Sequence, residues 1–223
     1  MITPTDPDNV IQGILLSPNE TRSVELKPCM DWPSDRTALQ NHLKAQEIIV
    51  SILAMSNTAD GGLIIVGVKK DTEGKYSLEG VKEESLATYD QDNIFEQVRS
   101  CGDPEPQFEV LNIAYESKNY IVFDVKSFAF TPIVSRNSKN LPKLDSGFMY
   151  IRTFKPESKK AVTPTDVRSI VDLSVEKELT AFSSRVQNLI SNGQLLLPSQ
   201  EQVQPNSKDN ASFNEELEDL KNG

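Results

Sequence analysis

The segment that most constrains the fold is a helical pattern that ends in a glycine pair and runs directly into an apolar stretch. From Ala38 to Ser56, leucine and isoleucine residues recur at helical spacing, which predicts an amphipathic helix. The sequence Asn57-Thr58-Ala59-Asp60-Gly61-Gly62 follows, and asparagine and glycine readily adopt the left-handed conformation that ends helices. Leu63 to Val68 then predicts a buried strand. We therefore expect a helix packed closely against a sheet.

The other predicted elements complete an α+β fold with a single mixed sheet. Alternating or apolar patterns predict further strands at residues 22–28, 76–81, 108–115, 120–125 and 148–153. Turn residues predict two hairpins, one through Lys69 to Lys75 and one through Glu116 to Asn119. We expect a helix around Asp90 to Ser100, a loop over residues 131–147, and either a helix or an edge segment at Val10 to Leu16.

A long helix is predicted near the C-terminus. Thr163-Pro164-Thr165-Asp166 places a hydroxyl cap, a proline and an acid where helices begin. From Val175 to Leu189, apolar residues alternate in steps of four and three, a stripe that packs either on its own domain or on a second subunit. Residues 198–223 are polar and acidic with few aromatic side chains, so we expect them to be disordered.

The charge of the chain is unevenly distributed. A net charge of −10 argues against a protein that binds nucleic acid over its whole surface, because phosphate binding needs clustered lysine and arginine. Residues 136–160, however, hold seven basic side chains against two acidic ones, whereas residues 83–109 hold eight acidic side chains against one basic one. The basic segment is either a binding surface or one of two solvated faces of opposite sign.

We expect neither export nor membrane insertion. Met1 to Asn9 contains no basic residue and no apolar stretch of the kind found in secretory signals. The apolar runs also fall far short of the roughly 20 residues that cross a bilayer. Cys29 and Cys101 match no metal-binding spacing, and His42 is the only histidine, so we expect both thiols to be reduced. These features predict a soluble cytoplasmic protein with no membrane partner.

The first segment that suggests chemistry is Glu20 to Lys27, in which two carboxylates stand five residues apart. A strand here places Glu25 and Lys27 on the same face. Adjacent carboxylates bind divalent cations, and a nearby lysine contacts phosphate or lowers the pKa of the acids by charge attraction. The alternative is a surface edge strand that carries opposite charges.

The glycine pair after the predicted helix superficially resembles a nucleotide-binding loop. Gly62, Gly67 and Lys69 approximate the motif GxxxxGK[ST], but that motif needs the lysine directly after the glycine, and Val68 occupies that position. The residues between the glycines have the pattern of a strand rather than of a flexible loop. We therefore expect no nucleotide cofactor.

In this order, the two segments resemble the Schlafen AlbA-like domain, whose pattern is E-x4-E-[FL]-K, a helix, then A-x-x-N-T-x-G-G and a strand that ends in G-V. The matching residues are Glu20, Glu25, Leu26, Lys27, Ala54, Asn57, Thr58, Gly61, Gly62, Gly67 and Val68. Tyr150-Ile151-Arg152-Thr153 is similar to the family's late Y-I-R strand. The resemblance spans about residues 18–173, the AlbA-like domain, and the other segments are an N-terminal extension (1–17), the predicted C-terminal amphipathic helix (174–197) and the acidic tail (198–223).

The resemblance implies nucleic acid binding, with RNA favoured over DNA, and in some members a metal-dependent endoribonuclease. Those nucleases use three carboxylates, and Glu20 and Glu25 match the first two by motif position. The third acid of the family follows the Gly-Val pair, where this chain has Lys69 and Lys70. Asp71 arrives two positions late.

Two outcomes are open for this implied catalytic site. With Asp71 turned inward, Glu20, Glu25 and Asp71 would hold Mg²⁺ or Mn²⁺, and Lys27 would stabilise the charge that develops on the phosphate. With Asp71 turned away, the two lysines before it would contribute phosphate contacts instead.

Arg152 is the residue that leads from the Y-I-R strand into the basic segment. An exposed strand would present it to a backbone phosphate, whereas the alternative is an ion pair with Asp145 or Glu157. Tyr150 is expected in the core rather than under a base. The residues predicted to contact nucleic acid are Arg22, Lys69, Lys70, Arg152, Lys155, Lys159 and Lys160.

These observations leave two functions of different classes. The first is a nucleic-acid-binding protein that forms a homodimer through the C-terminal helix, with RNA or DNA as its partner and with metal-dependent endoribonuclease activity where the third carboxylate completes the site. The second is a non-catalytic scaffold whose AlbA-like domain, acidic surface and tail serve a protein partner.

Overall fold

The structure of the chain, a computed structural model, describes residues 7–136 and 141–192. The chain divides into two units, residues 1–178 and residues 179–223. Of the second unit, the structure describes residues 179–192, which are helical up to Ser191. The tail predicted at 198–223 and Lys139 of the basic segment both lie outside the described residues.

The described residues contain both helices and strands. The helices are α1 (Pro7–Leu16), α2 (Arg36–Asn41), α3 (Leu43–Ser56), α4 (Glu83–Leu86), α5 (Gln91–Arg99) and α6 (Pro164–Ser191). The strands are β1 (Val24–Lys27), β2 (Gly62–Val66), β3 (Val68–Lys70), β4 (Tyr76–Leu78), β5 (Gly102–Asp103), β6 (Phe108–Tyr115), β7 (Lys118–Val125), β8 (Val134–Ser135), β9 (Tyr150–Arg152) and β10 (Ser158–Lys160).

The central sheet contains four strands in the order β1-β2-β7-β6. β1 and β2 run parallel, with Val24 opposite Leu63 and Lys27 opposite Val66, whereas β7 is antiparallel to both of its neighbours. A parallel pair needs a crossover connection, and α2 and α3 supply it between β1 and β2. The predicted α+β class with a mixed sheet is therefore confirmed.

Helix α3 provides the largest share of the core on one face of this sheet. Ile49 and Leu53 are fully buried in the same cluster as Phe123 of β7. On the other face, Ile11 and Leu15 of α1 are buried in a second cluster that includes side chains of β1, β2 and β7. Burial of each such side chain stabilises the fold by about 1.5–3 kcal/mol, so the two helices hold the sheet from both sides.

Polar and glycine residues define the end of α3 where the sequence predicts it. The hydroxyl of Thr58 donates to the carbonyl of Met55 at 2.7 Å. Gly61 has a φ of 73°, and a Cβ at this position would overlap the carbonyl oxygen of Val125. Only glycine therefore allows the chain to turn this close to β7 and enter β2.

Two predicted elements are interrupted in the structure. The helix predicted over Ala38 to Ser56 is two helices, because His42 leaves the helical conformation and its Nδ1 accepts the N–H of Ala45 at 3.2 Å. The strand predicted over Leu63 to Val68 is split at Gly67, which has a φ of 111°. The resulting kink directs β3 away from the central sheet, where it pairs with β4.

Both predicted hairpins are present, as β3–β4 and β6–β7, and the segment at Val10 to Leu16 lies within a helix. The predicted loop at 131–147 contains the short strand β8. β10 was not predicted, and it pairs with β9 in a separate two-stranded sheet that contacts α3. This hairpin forms one wall of the site described below.

Helix α6 begins at the predicted cap. The Thr163 hydroxyl accepts the N–H of Asp166 at 3.1 Å, and the Asp166 carboxylate accepts the N–H of Thr163 at 3.4 Å. A hydrogen bond from Lys159 is the main reason that the pKa of Asp166 lies below its ordinary value. Within the part of the chain that the structure describes, no helix is both long and apolar enough to cross a membrane.

Candidate nucleic-acid interface

A cleft with a volume of about 430 Å³ opens between β1, α3 and the β9–β10 hairpin. Its charged lining residues are Glu20, Glu25, Lys27, Glu47, Lys143, Arg152, Glu157, Lys159 and Lys160. Six of the residues predicted from sequence therefore meet at one place. The others, Arg22, Lys69, Lys70, Asp71 and Lys155, do not line this cleft.

The floor of the cleft is a buried ion pair between Arg152 and Glu25. Arg152 is 3% exposed and Glu25 is 6% exposed, and Nη1 of the arginine lies 2.8 Å from Oε2 of the glutamate. The other donors of Arg152 are also used, since Nη2 donates to the carbonyl of Thr21 at 3.0 Å and Nε to that of Arg22 at 3.3 Å. The guanidinium thus fastens β9 to the start of β1.

This geometry corrects the prediction for Arg152. The expectation of an exposed side chain that contacts phosphate is wrong, because the guanidinium is buried and surrounded by acceptors from the protein. The alternative prediction, an ion pair of Arg152 with Asp145 or Glu157, is also wrong, since Asp145 pairs with Lys160 and Glu157 with Lys155. The prediction that Tyr150 belongs to the core is confirmed.

A chain of alternating charges extends from the buried pair toward the cleft mouth. Lys27 lies 2.8 Å from Oε1 of Glu25 and 3.5 Å from Oε2 of Glu47, and Lys143 lies 3.3 Å from Oε1 of Glu47. Burial opposes the charge on Lys27, but attraction to Glu25 and Glu47 outweighs it and raises the pKa of the lysine. Lys27 therefore stays protonated at the inner end of the cleft.

Glu20 is held at the edge of the cleft by residues of the β3–β4 hairpin. Its Oε2 accepts hydrogen bonds from Lys70 at 3.3 Å and from the Tyr76 hydroxyl at 3.2 Å, and its Oε1 accepts the N–H of Leu26 at 3.4 Å. Hydrogen bonds to Tyr76 and Glu20 raise the pKa of Lys70. Both predicted carboxylates are thus engaged by cations of the same chain.

Asp71 does not join these carboxylates. Its Oδ1 accepts the N–H groups of Glu73 at 2.9 Å and Lys75 at 2.8 Å, which closes the β3–β4 turn. Over residues 7–136 and 141–192, no three histidine, cysteine, aspartate or glutamate side chains are grouped to hold a metal ion. The predicted set of Glu20, Glu25 and Asp71 therefore does not fit Mg²⁺ or Mn²⁺, because the third ligand serves the hairpin turn and Glu25 is bound by Arg152 and Lys27.

Three further predicted cations lie on the surface in ion pairs. Lys159 lies 2.9 Å from Asp166, Lys155 lies 3.0 Å from Glu157, and Lys69 lies 3.3 Å from Glu79. Such exposed pairs are worth about 0–1 kcal/mol and are screened by salt. A phosphate can therefore replace the carboxylate partner at little cost.

Sequence reasoning missed Glu47 and Ser51 as members of the site. Glu47 bridges two lysines of the cleft, and Ser51 is buried with its hydroxyl 3.1 Å from that of Ser158 in β10. The two residues are four apart, so they share one face of α3. Polar residues at this spacing in an otherwise buried helix were the available signal.

Several solved structures are similar to this chain, and two of them show low sequence identity to it. The DIP2311 protein from Corynebacterium diphtheriae is 18% identical over 67% of this chain, with a TM-score of 0.44, and this chain spans 25% of its length. The N-terminal domain of a RecG-related protein from Nitrosomonas europaea is 15% identical over 60% of this chain and 82% of its own, with a TM-score of 0.37. No curated protein matches the chain.

A family model also matches this sequence. The match runs over residues 20–161, from the first predicted carboxylate to the residue after β10. It contains the glycine-closed end of α3, both ends of the buried Arg152–Glu25 pair and the whole β9–β10 hairpin. The chain belongs to the Schlafen, AlbA_2 family.

Proposed function

We propose that this chain binds nucleic acid, RNA in preference to DNA, through the lysines at the mouth of the cleft. The observation that carries the proposal is that Lys143, Lys159 and Lys160 line one cleft and are each 39–44% exposed. Three partly exposed lysines around one opening provide the clustered positive charge that binding to a phosphate backbone requires. The family resemblance supports the same ligand class.

The buried charges of the cleft have a positioning role in this proposal. Arg152 and Glu25 fix β9 against β1, and β9 in turn carries the paired strand β10 with Lys159 and Lys160. Glu47 holds Lys27 and Lys143 on the opposite wall. A ligand would therefore meet lysines whose backbone positions are set by the ion pairs beneath them.

The proposal is for binding without metal-dependent cleavage. Both carboxylate oxygens of Glu25 are engaged, one by Arg152 and one by Lys27. Asp71 closes its own turn, so the three-carboxylate arrangement implied by the resemblance is absent from the described residues. The RNA preference rests on the resemblance alone, so DNA is included in the test below.

Replacing Lys159 with alanine is expected to weaken binding of labelled transfer RNA roughly three- to tenfold and to lower the salt dependence by about one counterion. Lys126→Ala is a matched control, because Lys126 is also half-exposed and also paired with an aspartate, Asp124, at 2.6 Å. Lys126 lines a different groove, next to Arg99. Fluorescence anisotropy titrations at two salt concentrations, with duplex DNA as the second ligand, measure both quantities.

Two results would count against the proposal. Equal losses in the two variants would mean that the cleft has no special role and that net charge alone sets the affinity. Absence of wild-type binding at low salt would favour the alternative function, a scaffold that binds a protein partner.

We also propose that the chain forms a homodimer through α6. Leu179, Phe182 and Leu189 are exposed on this helix at spacings that place them along one stripe. Glu178 and Arg185 are seven residues apart and so lie on the same edge of the stripe. In an antiparallel pair of helices, each of these charges would face its opposite on the second copy, which argues for self-association.

Phe182→Glu is expected to convert the dimer to a monomer, because it places a charge at the centre of the apolar stripe. Gln187→Glu introduces the same charge at an exposed position off the stripe and is expected to leave the dimer intact. Light scattering after size-exclusion chromatography measures the mass of each species. A monomeric wild-type protein at high concentration would refute the dimer.

A further inference from the structure

The tip of the β9–β10 hairpin presents a phenylalanine to solvent. Phe154 is 92% exposed, and it follows β9 directly after Thr153. Fully exposed aromatic side chains forgo the stabilisation that burial would provide, so this position contributes little to the fold. We infer that Phe154 is a stacking platform for an unpaired base of the nucleic acid, an inference that rests on the proposed function.

One cation lies over this ring, and a second follows it in the sequence. The guanidinium carbon of Arg22 lies 5.4 Å from the centroid of Phe154, a distance at which cation and ring attract each other. Lys155 is the next residue, and its side chain is 80% exposed. Pro156 and Glu157, which follow, line the cleft. A base on Phe154 would thus have its phosphates within reach of cations and its strand directed toward the cleft mouth.

A second aromatic ring lies shortly before β9 in the sequence, whereas Phe154 lies shortly after it. Phe148 is 38% exposed, and Nζ of Lys160 lies 5.0 Å from its centroid. Phe148 and Phe154 are six positions apart, which is at most ~20 Å along an extended chain. One strand of nucleic acid running past β9 could therefore place separate bases on the two rings, with Lys160 between base and backbone.

This arrangement identifies a class of ligand. In a duplex, the faces of the bases are stacked on each other and only the groove edges are open, so an aromatic ring has no face to contact. In a single strand, successive bases are free to stack on aromatic side chains while basic residues follow the backbone. The cleft together with the rings of Phe148 and Phe154, which lie outside its lining, therefore selects single-stranded segments, such as loops and ends of a folded RNA.

The inference is tested with three variants at one position in the full chain. Phe154→Ala is expected to weaken binding of a labelled single-stranded RNA about 5- to 100-fold, since a stacked base is worth that much to single-strand binding proteins. Phe154→Tyr keeps the ring and should stay within about twofold of wild type, whereas Phe154→Leu keeps the apolar character without the ring and should resemble alanine. Binding of a blunt duplex is expected to be the same for all four proteins.

The possible results distinguish base stacking on Phe154 from the proposed nucleic acid binding itself. Equal single-strand affinity of all four proteins would overturn stacking while leaving nucleic acid binding in place. Restoration by leucine as complete as by tyrosine would also overturn it, because that pattern indicates a plain apolar contact. Failure of wild type to bind any nucleic acid at low salt would overturn both. Thermal unfolding of each variant checks that the substitution at this exposed position leaves the stability of the fold unchanged.

Discussion

Replacing Arg152 with methionine is expected to lower the free energy of unfolding by about 3–5 kcal/mol. The substitution leaves Glu25, which is 6% exposed, without its 2.8 Å partner inside the protein. It also leaves the carbonyls of Thr21 and Arg22 without their side-chain donor. Lys27 still contacts the other carboxylate oxygen of Glu25 at 2.8 Å. Removing one partner of a buried ion pair nevertheless costs far more than removing an exposed partner, so this loss is expected to exceed that of replacing Lys143, Lys159 or Lys160. Urea unfolding followed by circular dichroism measures the change.

Two further variants make this prediction specific to the buried pair. Arg22→Met removes an arginine that is exposed and is expected to change stability by less than about 0.5 kcal/mol. Arg152→Met combined with Glu25→Leu removes both charges and is expected to be more stable than Arg152→Met alone. If the single Arg152 variant unfolds at the wild-type urea concentration, the buried pair does not fasten β9 to β1.

Replacing Asn57 with alanine is expected to cost about 2–4 kcal/mol, the second large loss. Asn57 is 3% exposed, and its amide nitrogen donates to the carbonyls of Ile133 at 2.9 Å and Tyr150 at 3.0 Å. Its amide oxygen accepts the N–H of Ile133 at 2.8 Å. Alanine leaves these three backbone groups without that partner in the interior, and it releases the end of α3 from Ile133 and from Tyr150 of β9.

Asn112→Ala is the matched control for this variant. Asn112 lies on β6, opposite Ile121 of β7, and is exposed, so its loss is expected to stay within about 0.5 kcal/mol. Thermal or urea unfolding compares the two proteins under the same conditions. Equal stability of the two variants would mean that the asparagine of the A-x-x-N-T-x-G-G motif acts only as a helix terminator.

The elements that could be predicted from sequence are those fixed by neighbours in the chain. The start of α6 follows from a cap within four residues, where Thr163 and Asp166 exchange hydrogen bonds. The end of α3 follows from Gly61, whose positive φ excludes other side chains. Each of these signals depends on local backbone chemistry, which the sequence displays directly.

The partners of the charged residues could not be predicted in the same way. Arg152 and Glu25 are 127 positions apart, and their contact depends on how the β9–β10 hairpin packs beside β1. A sequence pattern shows that a strand contains an arginine, but burial of that arginine is a property of the assembled fold. The same limit applies to Asp71. An aspartate is a common metal ligand, but in this fold its carboxylate accepts the backbone hydrogen bonds that close a turn.

The excess of positive charge in residues 136–160 describes the site less well than the individual contacts do. Arg152 is buried, Arg136 pairs with Asp103, and Lys155 pairs with Glu157. Of the lysines that line the cleft, Lys143, Lys159 and Lys160 belong to this segment, whereas Lys27 belongs to β1. A count of charges along the chain finds the right region and cannot choose among its members.

Chemical footprinting of lysines with and without bound single-stranded RNA distinguishes a cleft-bound ligand from one bound elsewhere. Acetylation in solution, read out by mass spectrometry, reports the accessibility of each amine in one experiment. If nucleic acid occupies the cleft, Lys143, Lys159 and Lys160 become protected on RNA binding while Lys126 reacts as before. Protection of Lys126 with the three cleft lysines unchanged would contradict that placement.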